Sequence, residues 1–369
     1  MNHIAVIGAG NVGCALAADL TRRGFEVRLF NRSAARLEPV REAGGITLTG
    51  VLDGFAEVNH VSQDLSETVH GAGVVAVTVP TATLPHYAQS LAEATTDDQV
   101  IWLNPGHSGG ALFLGQEVRR RFPRRRPMIC QLSTASHVSR MMSPARVGVF
   151  ALPEAGLAAF PAHHTDECHE RIDALLPGRF TRLANVLEAD LGNINALLHP
   201  PGMICGGAWI EATGGNFRFY GEGNTPAVAR VLEAVDIERL ALADQLGIPA
   251  VPFTDLFRRA GFTGAYDSAY EAIRHSASIQ GIKAPPTLDH RYLHEDVGWG
   301  LVPWLHLARA IGTPAPTMAA LVQMAGVVNR VDYATEGLTL ERMGLTGMAA
   351  HEICDHVTLG TTRQASIAP

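Results

Sequence analysis

The chain has 369 residues, of which 47% are hydrophobic and 18% charged, with a formal net charge of −7 at pH 7. That balance suits a globular protein with about two cores and excludes a basic nucleic-acid surface. The five cysteines are Cys14, Cys130, Cys168, Cys205 and Cys354. They are odd in number and form no C-x-x-C pair, so they read as reduced thiols of a cytosolic protein.

The first apolar run, His3 to Gly8, has no basic region before it, so no signal peptide is expected. No stretch reaches the roughly 20 apolar residues of a membrane span, and the expected location is cytoplasmic. The run reads instead as a buried parallel strand. It leads into Gly8-Ala-Gly10-Asn11-Val12-Gly13, a helix from Cys14 to Arg23 and a second strand from Phe25 to Phe30. Strand, glycine turn, helix and strand within about thirty residues form the setting of a dinucleotide fingerprint. Gly8 permits the tight turn, Gly10 lets a pyrophosphate approach the backbone, and Gly13 lets the helix lie close to the strand.

Alternation continues with a strand from Val74 to Val79 closed by Pro80, a helix from Leu84 to Ala94 and a strand from Val100 to Leu103 ending at Asn104. A helix from Leu112 to Phe122 follows, then strands over Met128–Leu132 and Arg146–Leu152. Such alternation predicts a doubly wound α/β domain of Rossmann type with a parallel sheet. The arginines from Arg119 to Arg126 read as the basic last turn of a helix and its exit loop. Beyond Pro177 the segments turn helical: Thr225-Pro226 is a helix start with Gly247 as its stop, and Thr317 to Asn329 is another apolar helix. The expected domains are 1–180, dinucleotide-binding, and 181–360, helical and catalytic, with a loose tail over 361–369. The apolar C-terminal helices suggest a homodimer.

At the end of the second strand, Asn31, Arg32 and Ser33 stand where an acidic residue would bind a ribose 2′-hydroxyl. A guanidinium with small polar neighbours suits a 2′-phosphate, so NADP(H) is expected over NAD(H). With Pro80 and Asn104 at the ends of later strands, these residues and Gly8, Gly10, Asn11, Val12 and Gly13 make up the cofactor set. His199 precedes Pro200, which disfavours helical geometry and predicts a helix break at the histidine. By local sequence alone a capping or buried structural histidine is the stronger reading. Lys283 to Asp296 is rich in polar groups and runs into apolar Val297 to Trp304, as a site lining would. His163, His164, Asp166, Glu167, Cys168 and His169 match no zinc spacing. Thr165 there reads as the N-cap of a helix, and no metal is expected.

The order of motifs resembles the opine dehydrogenases, the octopine/nopaline dehydrogenase family. The resemblance includes Asn104-Pro105-Gly106 and is carried most strongly by Asn195-Ala-Leu-Leu-His199-Pro200, Phe219-Tyr220 through Arg239, and Lys283-Ala-Pro285 through Arg291-Tyr292 and Glu295-Asp296 to Pro303. It implies reductive condensation of an amino acid with a 2-oxo acid, the imine being reduced by hydride from the nicotinamide. It also implies His199 as acid–base, Asp296 as the carboxylate orienting it and Arg291 as the holder of the oxo-acid carboxylate, with His107 and Tyr292 near the substrate. His107 stands where relatives often carry Gln or Arg, and Gln131-Leu where they often carry Glu-Thr, so the substrates themselves are left open. Two alternatives compete. A ketopantoate or 3-hydroxy-acid type of dehydrogenase would rely on a helix-borne lysine, whereas the one lysine here, Lys283, lies in a proline-rich loop. A non-catalytic dinucleotide sensor would not need the polar set at His199, Arg291 and Asp296.

Overall fold

The computed structural model describes residues 3–360; the tail expected over 361–369 lies outside the described residues. Strands β1 (Ile4–Ile7) and β2 (Val27–Phe30) flank helix α1 (Asn11–Arg22). Two short strands, β3 (Ile46–Gly50) and β4 (Gly54–Ala56), follow, and then β5 (His60–Ser62), β6 (Val74–Val77), β7 (Val100–Leu103) and β8 (Met128–Leu132). A hairpin, β9 (Val138–Ser143) and β10 (Arg146–Ala151), comes next, then β11 (Ala155–Phe160) and β12 (Phe180–Arg182).

The main sheet runs β12-β11-β8-β7-β6-β1-β2-β5. From β8 to β5 all neighbours are parallel, which is the Rossmann arrangement. At the other edge β11 joins β8 antiparallel, a reversal that the alternation of elements did not announce. The central strands are apolar throughout because helices cover both faces.

The stretch Arg146–Leu152 departs from expectation. It forms β10 of a separate sheet, β4-β3-β10-β9, rather than a strand of the main one. The chain turns back at Ala145, and Val147 and Val149 bury their side chains in the core shared with α1. Thr165 also departs from expectation: His164 is the N-cap of the helix Thr165–Asp173, and the Thr165 hydroxyl accepts the Ala159 N–H instead.

The second half is helical. Helix α2 (Val186–Leu191) leads into α3 (Ile194–Cys205), and α4 (Pro226–Gln245) packs against it. Thr225 caps α4 as expected, accepting the Val228 N–H, with Pro226 at the first helical position. The polar residues within α4 serve architecture. Glu238 accepts the Thr317 and Met318 N–H groups at the start of α6 (Pro316–Asn329). Arg239 pairs with Asp236 and donates to the Leu191 and Val251 carbonyls. Between α4 and α6, a short helix Arg291–His294 runs into a π-helical turn Val297–Leu301 and then α5 (Val302–Ile311). Strand β12 straddles residue 180, the expected domain boundary.

The halves are in intimate contact. Trp299 meets Phe113 edge-to-face with ring centroids 5.2 Å apart, and the Ser108 N–H donates to the Trp299 carbonyl. At the end of the described chain, the helix Ala350–Leu359 returns to the sheet domain, where His356 packs on Phe160.

Candidate active site

The glycine turn has the geometry its residues require. Gly8 has φ of 115°, a conformation that a side chain would strain. A Cβ at Gly13 would stand 1.7 Å from the Gly8 carbonyl oxygen, so only glycine lets α1 pack this close to β1. A Cβ at Gly10 would meet nothing within 4 Å, which leaves the approach to the N-terminus of α1 open. Gly10, the N-cap, supplies no side-chain bond to the first N–H groups. This uncapped, open helix start is a cradle for a pyrophosphate. The Asn11 side chain is committed to holding β9, accepting the Met141 N–H at 2.9 Å.

Asn31 steadies the turn by accepting the Ala9 N–H at 3.2 Å. Arg32 is exposed, with its guanidinium 5.1 Å from the centre of the Tyr87 ring, and Ser33 makes no side-chain capping bond. Pro80, exposed, opens the turn Thr81–Thr83. Asn104 is fully buried and spends both ends of its amide on Ser136, which in turn meets His137 and, through it, Asp19 of α1. It braces the sheet ends beneath the glycine turn.

His199 does not sit at a helix break. It lies inside α3, with Pro200 and Pro201 continuing the helix. Two interior prolines forfeit backbone hydrogen bonds and cost several kcal/mol in an isolated helix (~3 each). Here α3 is buried along most of its length, and that packing overrides the local preference.

Both ring nitrogens of His199 are engaged. Nδ1 lies 2.6 Å from Asp296 Oδ2, and Nε2 lies 2.8 Å from the Tyr220 hydroxyl. Tyr292 stacks on the ring at 3.6 Å and 8°. Burial holds the pKa of His199 below its ordinary value, against the pull of Asp296. The neutral ring therefore donates from Nδ1 to Asp296 and receives the Tyr220 O–H at Nε2. Burial raises the Tyr220 pKa well above the usual phenol range, so the hydroxyl keeps its proton.

His107 approaches the same carboxylate from the sheet domain. Its Nε2 lies 3.5 Å from Asp296 Oδ1 and 3.7 Å from Glu295 Oε1, while Nδ1 meets the Thr81 hydroxyl at 2.9 Å. Burial opposes its charging, but Glu295 and Asp296 together outweigh that and raise its pKa. Asp296 is likewise buried, yet His199 and His107 hold its carboxyl well below the usual carboxylate range. Glu295 accepts the Thr81 N–H at 2.7 Å and faces Arg291 at 3.5 Å. Carboxylates from the helical domain thus meet an imidazole and a backbone N–H from the sheet domain.

Arg291 is half-exposed and lines a cleft of about 720 Å³ that reaches from Asn11 to Tyr292. His290 also lines it, with a pKa pushed down to about 4 by burial and by Arg291. The walls come from stretches far apart in sequence. Phe217–Phe219 pairs with Ile282–Ala284 through the Phe219 N–H to the Ile282 carbonyl and the Ala284 N–H to the Phe217 carbonyl, which sets Tyr220 and Lys283. The structure therefore brings His199, Asp296, Tyr292, Arg291 and His107 together. Sequence reasoning missed Tyr220, Glu295 and Thr81 as site residues. Tyr220 and Glu295 stood inside quoted motifs; the apolar run beginning at Val297 was a local signal for Glu295, and Tyr220 had none of its own.

Among the described residues no helix is long and apolar enough to cross a membrane, and no cluster of His, Cys, Asp and Glu could hold a metal. Residues 182–329 match the NAD/NADP octopine/nopaline dehydrogenase alpha-helical domain family, and residues 3–155 the NAD-dependent glycerol-3-phosphate dehydrogenase N-terminus family. An opine dehydrogenase of Arthrobacter sp. (strain 1C) is 33% identical over 94% of this chain and 96% of its own. Protein ocs of Agrobacterium tumefaciens (strain Ach5) is 28% identical over 96% and 98%. The fold matches octopine dehydrogenase in complex with NADH and L-arginine with a TM-score of 0.76 at 20% identity, covering 98% of this chain and 99% of that one. A ketopantoate reductase of the PanE/ApbA family from Ralstonia eutropha JMP134 matches with a TM-score of 0.62 at 19% identity, over 89% and 98%. With a relative this similar over nearly its whole length, the chain belongs to the octopine/nopaline dehydrogenase family and is an NAD(P)-dependent oxidoreductase.

Proposed function

We propose that the chain condenses an amino acid with a 2-oxo acid and reduces the imine to a secondary amine bearing two carboxylates, with His199 as acid–base and NADP(H) as the preferred cofactor. The observation that carries this assignment is the 2.6 Å contact between His199 and Asp296, buried against the wall of a cleft that extends to the glycine turn. Solved relatives in complex with NADH and L-arginine, and with NADH and pyruvate, agree with two small substrates meeting beside a dinucleotide.

When bound, the nicotinamide supplies the hydride that reduces the imine carbon. The turn Gly8 to Gly13 and the start of α1 would hold the pyrophosphate. Arg32 and Ser33, exposed and beyond the end of β2, would meet the 2′-phosphate. Arg291 presents a planar fork to the oxo-acid carboxylate. Amine attack on the carbonyl requires one proton to leave the ammonium and protons to reach the departing oxygen, which leaves as water. His199 exchanges those protons at Nε2, with the Tyr220 hydroxyl already on that nitrogen to pass them on. Asp296 holds the Nδ1–H tautomer and balances the imidazolium as it forms. The domain division near residue 180, a homodimer and a cytoplasmic location belong to the same proposal.

The test is a matrix of amino acids against 2-oxo acids, read as loss of nicotinamide absorbance. Oxidation that requires both partners is expected, and oxidation by the oxo acid alone would point to a hydroxy-acid dehydrogenase. For the cofactor, Arg32→Ala is expected to weaken NADPH about ten- to a hundredfold and to spare NADH, since one charged hydrogen bond is lost. Equal weakening of both would remove the NADP preference.

A further inference from the structure

The cleft beside His199 has an unusual charge distribution. Three cations line it: Arg140 from β9, Lys283 from the segment paired with Phe217–Phe219, and Arg291. No aspartate or glutamate is among its lining residues. Arg291 is already answered from behind by Glu295, at 3.5 Å. Among the described residues Lys283 has only a neutral partner, the Asn216 amide oxygen at 3.2 Å. Arg140 is partly buried and makes no salt bridge among the described residues, yet it is close enough to act electrostatically on Tyr220 and His290. Next to it in sequence, the Ser139 hydroxyl is buried and has no hydrogen-bond partner among the described residues, although the residue lines the cleft. A cleft with unpaired cations, an idle hydroxyl and no acid is set up for an anion-rich occupant.

The condensation proposed above accounts for two carboxylates, one from each partner. The cleft offers three cationic side chains; with Glu295 offsetting Arg291, two remain uncompensated, against a product whose two carboxylates are themselves offset by its secondary ammonium. We propose, on the basis of that condensation, that one substrate carries an additional carboxylate: the enzyme joins a dicarboxylic 2-oxo acid or a dicarboxylic amino acid, with Arg140, Lys283 and Ser139 receiving the carboxylates that Arg291 does not. A cationic amino-acid side chain entering the same space would face like charges with no carboxylate to pair with, and is rejected.

The experiment has two arms. With alanine as the amine, 2-oxoglutarate and oxaloacetate are compared with pyruvate; with pyruvate as the oxo acid, glutamate and aspartate are compared with alanine, arginine and lysine. At least one dicarboxylic substrate is expected to exceed its monocarboxylic counterpart in kcat/KM by about tenfold or more, the worth of one charged hydrogen bond, and the arm in which it does so identifies the source. Lys283→Met and Arg140→Met are each assayed with both members of the preferred pair. Each variant is expected to shrink the preference and to leave the KM for NADPH unchanged. Calorimetric titration of the wild-type protein and both variants with the preferred dicarboxylate gives a readout apart from turnover. Equal or better turnover with arginine or lysine, or a raised KM for NADPH in the Arg140 variant without loss of preference, overturns the assignment. Absence of turnover with every pair would overturn the condensation itself, a different outcome.

Discussion

At His199 the sequence and the structure agree on the partner and disagree on the backbone. The match to Asp296 was legible because both residues stand in family-like motifs. Their proximity across ninety-seven positions was not visible in either segment alone. His199→Asn is expected to lower turnover by roughly a hundredfold or more while leaving NADPH binding intact, as loss of an acid–base group does. Asp296→Asn should be nearly as damaging, because the amide admits the wrong tautomer. The double variant should lose little more than either single one, since the two act as one unit, and additive losses would show that they do not. Tyr220 adds a pH signature. Its hydroxyl donates to the neutral ring and so stabilises that form. In the oxidative direction, where unprotonated His199 is needed, the acidic limb of kcat/KM should lie below the ordinary histidine range. Tyr220→Phe should move that limb upward, and an unmoved limb would mean that the hydroxyl only fills space.

At the scale of elements, legibility followed burial. The strands at the centre of the sheet, with helices on both faces, announced themselves as short apolar runs, and two of them were bounded to the residue. The segments β3, β4, β5, β9, β11 and β12 were not found. All but β11 are short or partly exposed and mixed in composition, so neither strict alternation nor a continuous run marks them. Strand β11 is the exception to burial: it is buried but built of Ala-Gly-Leu-Ala-Ala-Phe, and alanine and glycine carry little strand signal. Helix α3 shows the opposite failure, where a strong local signal, two prolines, was outweighed by packing. Helix α2 carries a consequence for stability. Asp190 is buried with Oδ1 accepting from the Gly109 N–H and the Gln131 amide, and burial pushes its pKa up to about 7 in spite of both. Below about pH 7 the fold therefore holds the protonated acid. From about pH 4 to pH 7 the unfolded chain releases this proton first, and the stability tied to it falls over that window and is gone above it. Asp190→Asn keeps the acceptor without the charge. The variant is expected to melt with the wild type near pH 4 and a few degrees higher at pH 8; a lower Tm at pH 8 would show that the ionised form is well accommodated.

Across the whole molecule, the two halves match different families, one named for the N-terminus of glycerol-3-phosphate dehydrogenases and the other for the helical domain of octopine/nopaline dehydrogenases. Such a pairing suggests parts that could be exchanged. The buried carboxylate between two imidazoles argues otherwise. Asp296 belongs to one half and is charge-balanced partly by His107 of the other, where the separate turn Thr81–Thr83 also donates the Thr81 N–H to Glu295. A grafted nucleotide unit without an imidazole at position 107 would dock by the same apolar surfaces and bind a dinucleotide equally well. It would nevertheless leave Glu295 and Asp296 with one cation fewer, and the pKa of His199 would rise toward that of an ordinary histidine. In the intact chain, His107→Gln should reproduce this, moving the acidic limb of the oxidative pH profile upward with dinucleotide affinity unchanged. That outcome would mean that inheritance in this protein is not domain by domain: the working pH of the helical half would be written in a residue that only its partner half can transmit.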